Sequence, residues 1–255
     1  MEPRPERLES SFHEKIWGST KLSPWFADSD KKIGEVWFTR RERLPLLVKF
    51  LFTTENLSVQ VHPGGAEGKT EMWYILRAEP GAAIALGPRE PVSHEQARKA
   101  SETGEIMDLL RWFPVAPGET YFIPAGTIHA IGAGITLCEI QQNCDITYRL
   151  YDYGRDRALH LDEGLRVAHL EPHPGKSDGN VTCEYFCAEP MLLDGPVCHQ
   201  PREWEMLAVV EGRGTYGDEP FRAGEVWYVP AGAPSAWLRP EGSARVIRVW
   251  LPVRQ

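Results

Sequence analysis

Four polar side chains in the first half of the chain have the types and spacing of metal ligands. Gln60 and His62 lie two residues apart in an alternating segment, so a β-strand would point both to the same face. Glu71 opens the next strand-like segment after a glycine-rich loop, and His129 follows a Pro-Ala-Gly turn. An amide oxygen, a carboxylate and two neutral imidazoles suit zinc, or less tightly manganese, cobalt or iron.

Each of these residues also has an ordinary structural explanation. A lone histidine on a strand is more often a core or surface residue with satisfied hydrogen bonds than a ligand. A single glutamine carries almost no information. The setting of His129 is more specific, because the turn before it recurs later in the chain without a histidine. A metal site is therefore a hypothesis that depends on the strands around it.

Strand-like segments dominate the chain and would have to position these side chains. Apolar and alternating runs recur between residues 46 and 86 and again from residue 119 onward. Residues 92–112 differ, because Ser93 could cap a helix with Gln96 three positions later. The sequence therefore predicts a mainly all-β fold that includes one or two short helices in this segment.

A nine-residue pattern occurs twice and indicates a duplicated architecture. Residues 118–126 read Gly-Glu-Thr-Tyr-Phe-Ile-Pro-Ala-Gly, and residues 224–232 read Gly-Glu-Val-Trp-Tyr-Val-Pro-Ala-Gly. Both copies contain a turn, an alternating strand and a second turn, so we predict two related β-barrels in tandem. We expect an N-terminal barrel at residues 1–170 with the metal site, and a C-terminal barrel at residues 171–255 without metal ligands.

Composition and charge exclude several classes of function. The chain has 255 residues, 42% of them hydrophobic and 25% charged, and a net charge of −8. That charge argues against general nucleic-acid binding, although cations in one cleft could still attract an anion. The polar N-terminus and the short apolar runs predict neither a secretion signal nor a membrane span, so we expect a cytoplasmic protein. Five cysteines, an odd number, do not predict a disulfide framework.

Several segments together resemble the type I mannose-6-phosphate isomerases of the cupin superfamily, in their short bacterial form. The matching segments are residues 16–22, 34–37, 57–63, 68–74, 123–130 and 143–153. The last contains Tyr-Arg-Leu-Tyr-Asp, which is specific in combination with the Gln-x-His pair. The resemblance covers about residues 15–160, whereas the C-terminal barrel matches by pattern only. It implies two cupin-type jelly rolls and the interconversion of mannose 6-phosphate and fructose 6-phosphate through a cis-enediolate.

The resemblance also implies roles for individual side chains. It assigns one zinc ion to Gln60, His62, Glu71 and His129. Arg149 falls on an active-site arginine that would stabilise the enediolate, and Lys69 on a lysine near the metal that would steer the substrate or move a proton. Glu139 falls on an acidic pocket residue and is the candidate catalytic base. Its alternative is a structural carboxylate that pairs with Lys69 or Arg149.

The expectations for the substrate's phosphate group are less specific. Phosphate needs cations or amide donors at the far end of the cleft. Arg155, six residues beyond Arg149, is one candidate, and Ser19 and Lys21 are two others. Asp145 matches a second acidic residue of the pocket and is expected to orient Arg149.

Two alternative functions stay open at this point. Two histidines and a carboxylate also suit an iron-dependent cupin dioxygenase, and a non-catalytic cupin could bind a sugar phosphate without turnover. Gln60 and the Tyr-Arg-Leu-Tyr-Asp segment argue against the first. Lys69, Glu139 and Arg149 argue against the second. We expect a monomer or weak homodimer that acts on a small sugar phosphate and binds neither nucleic acid nor membranes.

Overall fold

The protein is built mainly of β-strands, and its structure, a computed structural model, describes residues 3–252. The strands of the first half are β1 (Glu6–Arg7), β2 (Glu9–Ser19), β3 (Ile33–Thr39), β4 (Leu46–Phe52), β5 (Val59–Val61), β6 (Glu71–Ala78), β7 (Ala83–Pro88), β8 (Leu110–Pro114), β9 (Thr120–Ile123), β10 (His129–Ile131), β11 (Ile135–Gln142) and β12 (Tyr148–Tyr151). Those of the second half are β13 (Lys176–Ser177), β14 (Val181–Thr182), β15 (Cys187–Leu193), β16 (Val197–His199), β17 (Glu205–Glu211), β18 (Arg213–Tyr216), β19 (Glu219–Arg222), β20 (Glu225–Val229), β21 (Ala236–Pro240) and β22 (Ala244–Trp250). The helices are α1 (His94–Thr103), α2 (Ile106–Leu109) and α3 (Leu161–Val167).

The described residues form two antiparallel sheets in each barrel. In the N-terminal barrel a seven-stranded sheet has the order β13-β9-β6-β11-β4-β3-β2, and a five-stranded sheet has the order β12-β5-β10-β7-β8. In the C-terminal barrel the orders are β1-β20-β17-β22-β15-β14 and β16-β21-β18-β19. A buried apolar cluster fills the space between the two sheets of each barrel. The predicted all-β class, with two tandem cupin-type barrels and a few short helices, is confirmed.

Two short strands cross from one barrel to the other. β1 pairs with β20 of the C-terminal barrel, and β13 pairs with β9 of the N-terminal barrel. The predicted boundary between residues 170 and 171 remains a prediction, because β1 and β13 each pair with a strand on the opposite side of that boundary. The outer ends of the two predicted units, residues 1–2 and 253–255, lie outside the described residues.

Strand β4 contributes side chains to two apolar clusters, one on each of its faces. All seven of its residues are buried, because both of its faces are covered. Val48, Phe50 and Phe52 belong to the apolar cluster that joins the two barrels, whereas Leu51 belongs to the cluster inside the N-terminal barrel. Side chains alternate between the faces of a strand, so Lys49 shares the inner face with Leu51. A charged side chain is thereby fixed inside the barrel.

Trp25 connects the two barrels through both apolar and polar contacts. Its ring centroid lies 6.5 Å from that of Phe50 and 6.1 Å from that of Phe52. Its indole Nε1 donates a hydrogen bond of 2.7 Å to the carbonyl of Val210 in β17. The side chain is 8% exposed, so this bond is made in a largely dry environment.

Trp25→Ala is expected to destabilise the fold by about 3–5 kcal/mol, because it leaves a cavity and an unpaired carbonyl between the barrels. Trp25→Phe keeps most of the ring and should lose only about 1 kcal/mol. Urea unfolding monitored by circular dichroism would measure both values. Equal, small losses for the two variants would contradict the anchoring role.

The helical segment matches the sequence pattern in part. Ser93 caps α1 and forms the predicted capping box with Gln96. Leu110, which was expected to lie in a helix, instead begins β8, because its backbone pairs with Pro88 of β7. The sequence pattern also missed helix α3, which packs against β12. No helix within residues 3–252 has the length and apolar character needed to cross a bilayer.

Candidate metal centre and adjoining cavity

Three side chains form a row across the five-stranded sheet. Gln60 of β5 lies directly opposite His129 of β10 on one side and Arg149 of β12 on the other. Residues directly opposite each other in antiparallel strands project from the same face. The pairing of three separate chain segments therefore brings an amide, an imidazole and a guanidinium to the inner face of the barrel.

Three of the predicted ligands converge beside this row. His62 follows β5, and Glu71 begins β6 of the facing sheet. Their candidate ligand atoms and that of His129 all lie within 4.8 Å of one another. This is the only such group of His, Cys, Asp or Glu found in residues 3–252. Each of the three side chains is about 1% exposed.

The donor set fits a divalent metal ion. The Nδ1 atom of His62 lies 2.9 Å from the carbonyl oxygen of Ile146, and that of His129 lies 2.9 Å from the carbonyl of Thr127. When Nδ1 donates to a carbonyl, Nε2 carries the free lone pair that a metal requires. The Oε1 atom of Glu71 is buried and lies 3.3 Å from His62 Nε2 and 2.5 Å from the Lys69 ammonium, so a carboxylate oxygen faces the same point.

Gln60 contributes differently from the other three residues. Its Nε2 atom lies 3.3 Å from His129 Nε2, and its Oε1 accepts a hydrogen bond of 3.1 Å from the hydroxyl of Ser58. Rotating the amide by 180° exchanges these two atoms and turns the oxygen toward the imidazoles. Gln60 is therefore placed to act as a fourth, weaker ligand after that rotation.

The electrostatics keep both imidazoles neutral. Burial and then the charge of Lys69 lower the pKa of His62, while burial and then His62 lower the pKa of His129 to about 3. The Lys69 ammonium lies 3.3 Å from His62 Nε2 and forms an ion pair with Glu71. Burial acts to lower the pKa of Lys69, but the charges of Glu71 and Glu139 outweigh it and raise that pKa above its usual value.

The two buried carboxylates of the site have opposite pKa shifts. Burial acts to raise the pKa of Glu71, but Lys69 and His62 hold it well below its usual range. Burial and then the charge of Glu71 raise the pKa of Glu139. Trp73 bridges the pair, since its indole nitrogen lies 3.0 Å from one Glu71 oxygen and 3.1 Å from one Glu139 oxygen. An anionic ligand and a more basic carboxylate thus stand side by side.

A cavity of about 250 Å³ adjoins the candidate metal centre. Its polar lining consists of Lys15, Glu35, Lys49, Ser58, Gln60, Lys69, Glu139, Asp145, Thr147, Arg149 and Arg157. The apolar wall consists of Trp17, Leu51, Leu57 and Ile131. The lining carries more cations than carboxylates and therefore suits a small polar anion.

A second row of side chains crosses the seven-stranded sheet at this cavity. Lys49 of β4 lies opposite Trp37 of β3 and Glu139 of β11, and Glu139 lies opposite Trp73 of β6. The Lys49 ammonium is 3.4 Å from Glu139 Oε1 and 4.5 Å from the centre of the Trp37 ring. An ion pair and a cation–π contact therefore hold a 2% exposed lysine at the cavity wall.

The structure distributes the remaining predicted site residues over different places. Lys69, Glu139, Asp145 and Arg149 line the cavity. Ser19 and Lys21 lie at a separate cleft of about 980 Å³, where Lys21 pairs with Asp28. Arg155 pairs with Glu55 and is not part of the cavity wall. The catalytic and substrate-binding roles of these residues remain predictions.

The predicted contact between Asp145 and Arg149 does not occur among the ion pairs of residues 3–252. Asp145 is exposed at the cavity rim. Arg149 instead donates a hydrogen bond of 2.9 Å from Nη1 to the carbonyl of Ala158. Its buried Nε has no hydrogen-bond partner within the described residues. The orienting role of Asp145 therefore stays a prediction without a supporting contact.

Sequence reasoning missed four charged residues of the cavity, which are Lys15, Glu35, Lys49 and Arg157. The sequence could have identified Lys49, because a charged residue in the middle of an otherwise apolar, buried strand needs a partner of opposite charge. Lys15 and Glu35 form an ion pair between β2 and β3 at 3.5 Å. Arg157 lies in a loop, where side-chain direction has no period that the sequence could reveal.

Comparisons with known proteins place this architecture in one family. No protein-family model matches the chain. Mannose-6-phosphate isomerase ManA of Bacillus subtilis (strain 168) is 31% identical in an alignment that covers 91% of this chain and 95% of that protein. The mannose-6-phosphate isomerase of Streptococcus mutans serotype c is 34% identical over 64% of this chain and 67% of that protein.

Solved structures agree with the sequence relatives. The crystal structure of the mannose 6-phosphate isomerase from Bacillus subtilis matches with a TM-score of 0.86 at 27% identity, over 97% of this chain and 100% of that one. A putative mannosephosphate isomerase from Archaeoglobus fulgidus shares the fold, with a TM-score of 0.84 at 18% identity over 98% of each chain. The relatives imply a metal cofactor, which the His62, Glu71 and His129 group fits. The chain belongs to the type I mannose-6-phosphate isomerase family.

Proposed function

We propose that this protein interconverts mannose 6-phosphate and fructose 6-phosphate, with zinc as its metal ion. The observation that carries the proposal is the convergence of His62, Glu71 and His129 beside a cavity that also holds the Lys49–Glu139 pair. Gln60 would complete the ligand set. A neutral imidazole pair and a carboxylate are a common zinc environment with room for a further oxygen ligand.

The reaction moves a proton between C1 and C2 of the open-chain sugar, and negative charge develops on the adjoining oxygens. The bound metal ion supplies Lewis-acid stabilisation of that charge. Glu139 takes the proton from one carbon and returns it to the other. Its raised pKa makes it a stronger base than an ordinary carboxylate.

Cations around Glu139 complete the proposed machinery. Lys49 is held beside the reacting carboxylate and donates to the substrate oxygens as their charge grows. Arg149 projects from the row that contains Gln60, so its guanidinium faces the same end of the substrate. Guanidinium keeps its charge in a partly buried site, which suits it to stabilise an enediolate. Lys69 holds Glu71 in its anionic, ligating form.

The alternatives from the sequence have less support. An iron-dependent dioxygenase would use the two histidines and the carboxylate, but the relatives are isomerases. A non-catalytic binder would not need a buried Lys49–Glu139 pair at the cavity wall, where two charges are expensive to bury. Oxygen uptake in the presence of ferrous iron would support the dioxygenase and contradict the isomerase.

A metal add-back experiment tests the proposed activity. The protein is stripped with a chelator, and turnover of mannose 6-phosphate is followed in a coupled assay after adding zinc, manganese or cobalt. We expect the stripped protein to be inactive and zinc to restore turnover, since the ligand set suits a borderline-soft ion. Failure of every metal to restore turnover would refute the proposal. Restoration by manganese alone would refute the choice of zinc.

A further inference from the structure

Two arginines, Arg149 and Arg157, line the cavity next to the loop after β12. There Asp152, which is 3% exposed, binds Arg157 through both of its carboxylate oxygens. Arg157 Nε lies 2.6 Å from Oδ2, and Nη2 lies 2.6 Å from Oδ1. Such a fork fixes the plane of the guanidinium and leaves its remaining N–H groups free for another ligand.

Arg149 lies beside this fork and adds a second cation. Burial and then the charge of Arg157 lower the pKa of Arg149, as expected for two guanidinium groups in proximity. Arg149 forms no ion pair within the described part of the chain, and its buried Nε lacks a hydrogen-bond partner there. Arg149 and Arg157 are thus two cations near the buried carboxylate of Asp152, while Asp145, another carboxylate of this part of the chain, is exposed at the cavity rim.

The other cations near the cavity are neutralised by carboxylates. Lys15 pairs with Glu35, and Lys49 pairs with Glu139. Arg155 also contacts Asp152, but it donates to Glu55 and to the carbonyl of Asn56. Its guanidinium is therefore engaged outside the cavity, although the sequence spacing made it one of the phosphate candidates.

The order of the residues along the cavity fits a substrate with two distinct ends. Gln60 is next to the candidate metal centre, Arg149 lies opposite Gln60, and Arg157 is next to Arg149 on the side of the loop. The turn that allows this contains Tyr153 with φ 56° and Gly154 with φ 74°, which reverse the chain between Asp152 and Arg157. In a 6-phosphate sugar, the reacting carbons and the phosphate are also at opposite ends.

We propose that Arg157, oriented by Asp152, is the main phosphate-binding residue of this protein, without participation of Arg155. Arg149, which lies opposite Gln60, serves the reacting end of the substrate. The inference rests on the proposed function for the identity of the ligand, a sugar carrying a terminal phosphate dianion. Asp152 acts here as a positioning residue. It does not contact the ligand.

Arg157→Gln tests this assignment. It should raise KM for mannose 6-phosphate roughly 10- to 100-fold, the range expected for lost charge-assisted hydrogen bonds, while kcat changes by less than about threefold. Arg157→Lys keeps the charge but not the fork, so its KM should lie between those of Arg157→Gln and the original protein. Arg98→Gln removes an exposed arginine that pairs with Asp162 and serves as the control with unchanged kinetics.

A binding measurement separates this inference from the proposed activity. Titration of the metal-loaded protein with inorganic phosphate, followed by phosphorus NMR, should show weaker binding by at least about tenfold for Arg157→Gln. If Arg157→Gln loses phosphate affinity but the original protein shows no isomerase turnover, the proposed activity is refuted and the phosphate site is supported. Unchanged phosphate affinity and KM in Arg157→Gln, or the same losses in Arg155→Gln instead, would overturn the assignment. Thermal unfolding of each variant identifies misfolding. If Arg157→Gln misfolds, the KM and the phosphate affinity of Arg157→Lys decide between the outcomes.

Discussion

Glu71→Gln is expected to remove both the bound metal ion and the isomerase turnover. Glu71 is the only carboxylate of the ligand group, and its oxygen faces the two Nε2 atoms that complete the site. The neutral amide is a weaker ligand for zinc and leaves the Lys69 ammonium without its anionic partner. Turnover should fall on the order of 10³-fold or more, because several kcal/mol of transition-state stabilisation disappear.

Metal content after dialysis, measured by mass spectrometry, gives a readout that does not depend on turnover. Glu119→Gln is the matched control, since Glu119 pairs with Lys176 and does not line the cavity. The control should keep one metal ion per chain and ordinary kinetics. If Glu71→Gln also kept its metal ion and turned over within about tenfold of the original protein, the candidate centre would not be the site of catalysis.

The strand pattern allowed much of the fold to be predicted, because strand faces have a period of two. The apolar run that begins at residue 46 forms β4, Leu46–Phe52. The alternation at residues 57–62 correctly places Gln60 and His62 on one face, although only Val59–Val61 has strand pairing. The repeated Gly-Glu to Pro-Ala-Gly pattern contains β9 and β20, which occupy comparable positions in the two barrels.

The parts that could not be predicted depend on contacts between distant segments. Lys49 and Glu139 are 90 residues apart, and only the pairing of β4 with β11 brings them together. A single sequence indicates that a segment is a strand but not which strand lies next to it. The same limit hid the exchange of β1 and β13 between the barrels.

The choice between Arg155 and Arg157 shows a second limit. Both arginines follow β12 in one loop, and both contact the carboxylate of Asp152. Tyr153 and Gly154 have left-handed backbone conformations between β12 and the two arginines, and only Arg157 lines the cavity. Neither residue count nor side-chain chemistry encodes which of the two arginines lines the cavity, so the spacing from Arg149 could not distinguish them, and the role of Arg155 stays a prediction.

Glu139→Gln is expected to reduce kcat by about 10²- to 10⁴-fold while the fold and the metal content remain. Glutamine has nearly the same shape and can still accept from the Trp73 indole, so a purely structural Glu139 would tolerate the change. A catalytic base does not tolerate this change, because the amide of glutamine cannot take up the proton of a carbon acid. The expected pattern is a large loss in kcat with KM for mannose 6-phosphate nearly unchanged.

Proton exchange distinguishes a lost base from a displaced Lys49. In deuterated water the original protein should introduce deuterium at C2 of the recovered aldose, because the base exchanges its proton with solvent during the enediolate stage. Glu139→Gln should introduce none, whereas Lys49→Met should introduce deuterium slowly, since the base is retained and only the charge beside it is lost. Deuterium uptake by Glu139→Gln at the original rate would assign the proton transfer to another group. A structural role for Glu139, as the anionic partner that holds Lys49 at the cavity wall, would then account for its burial.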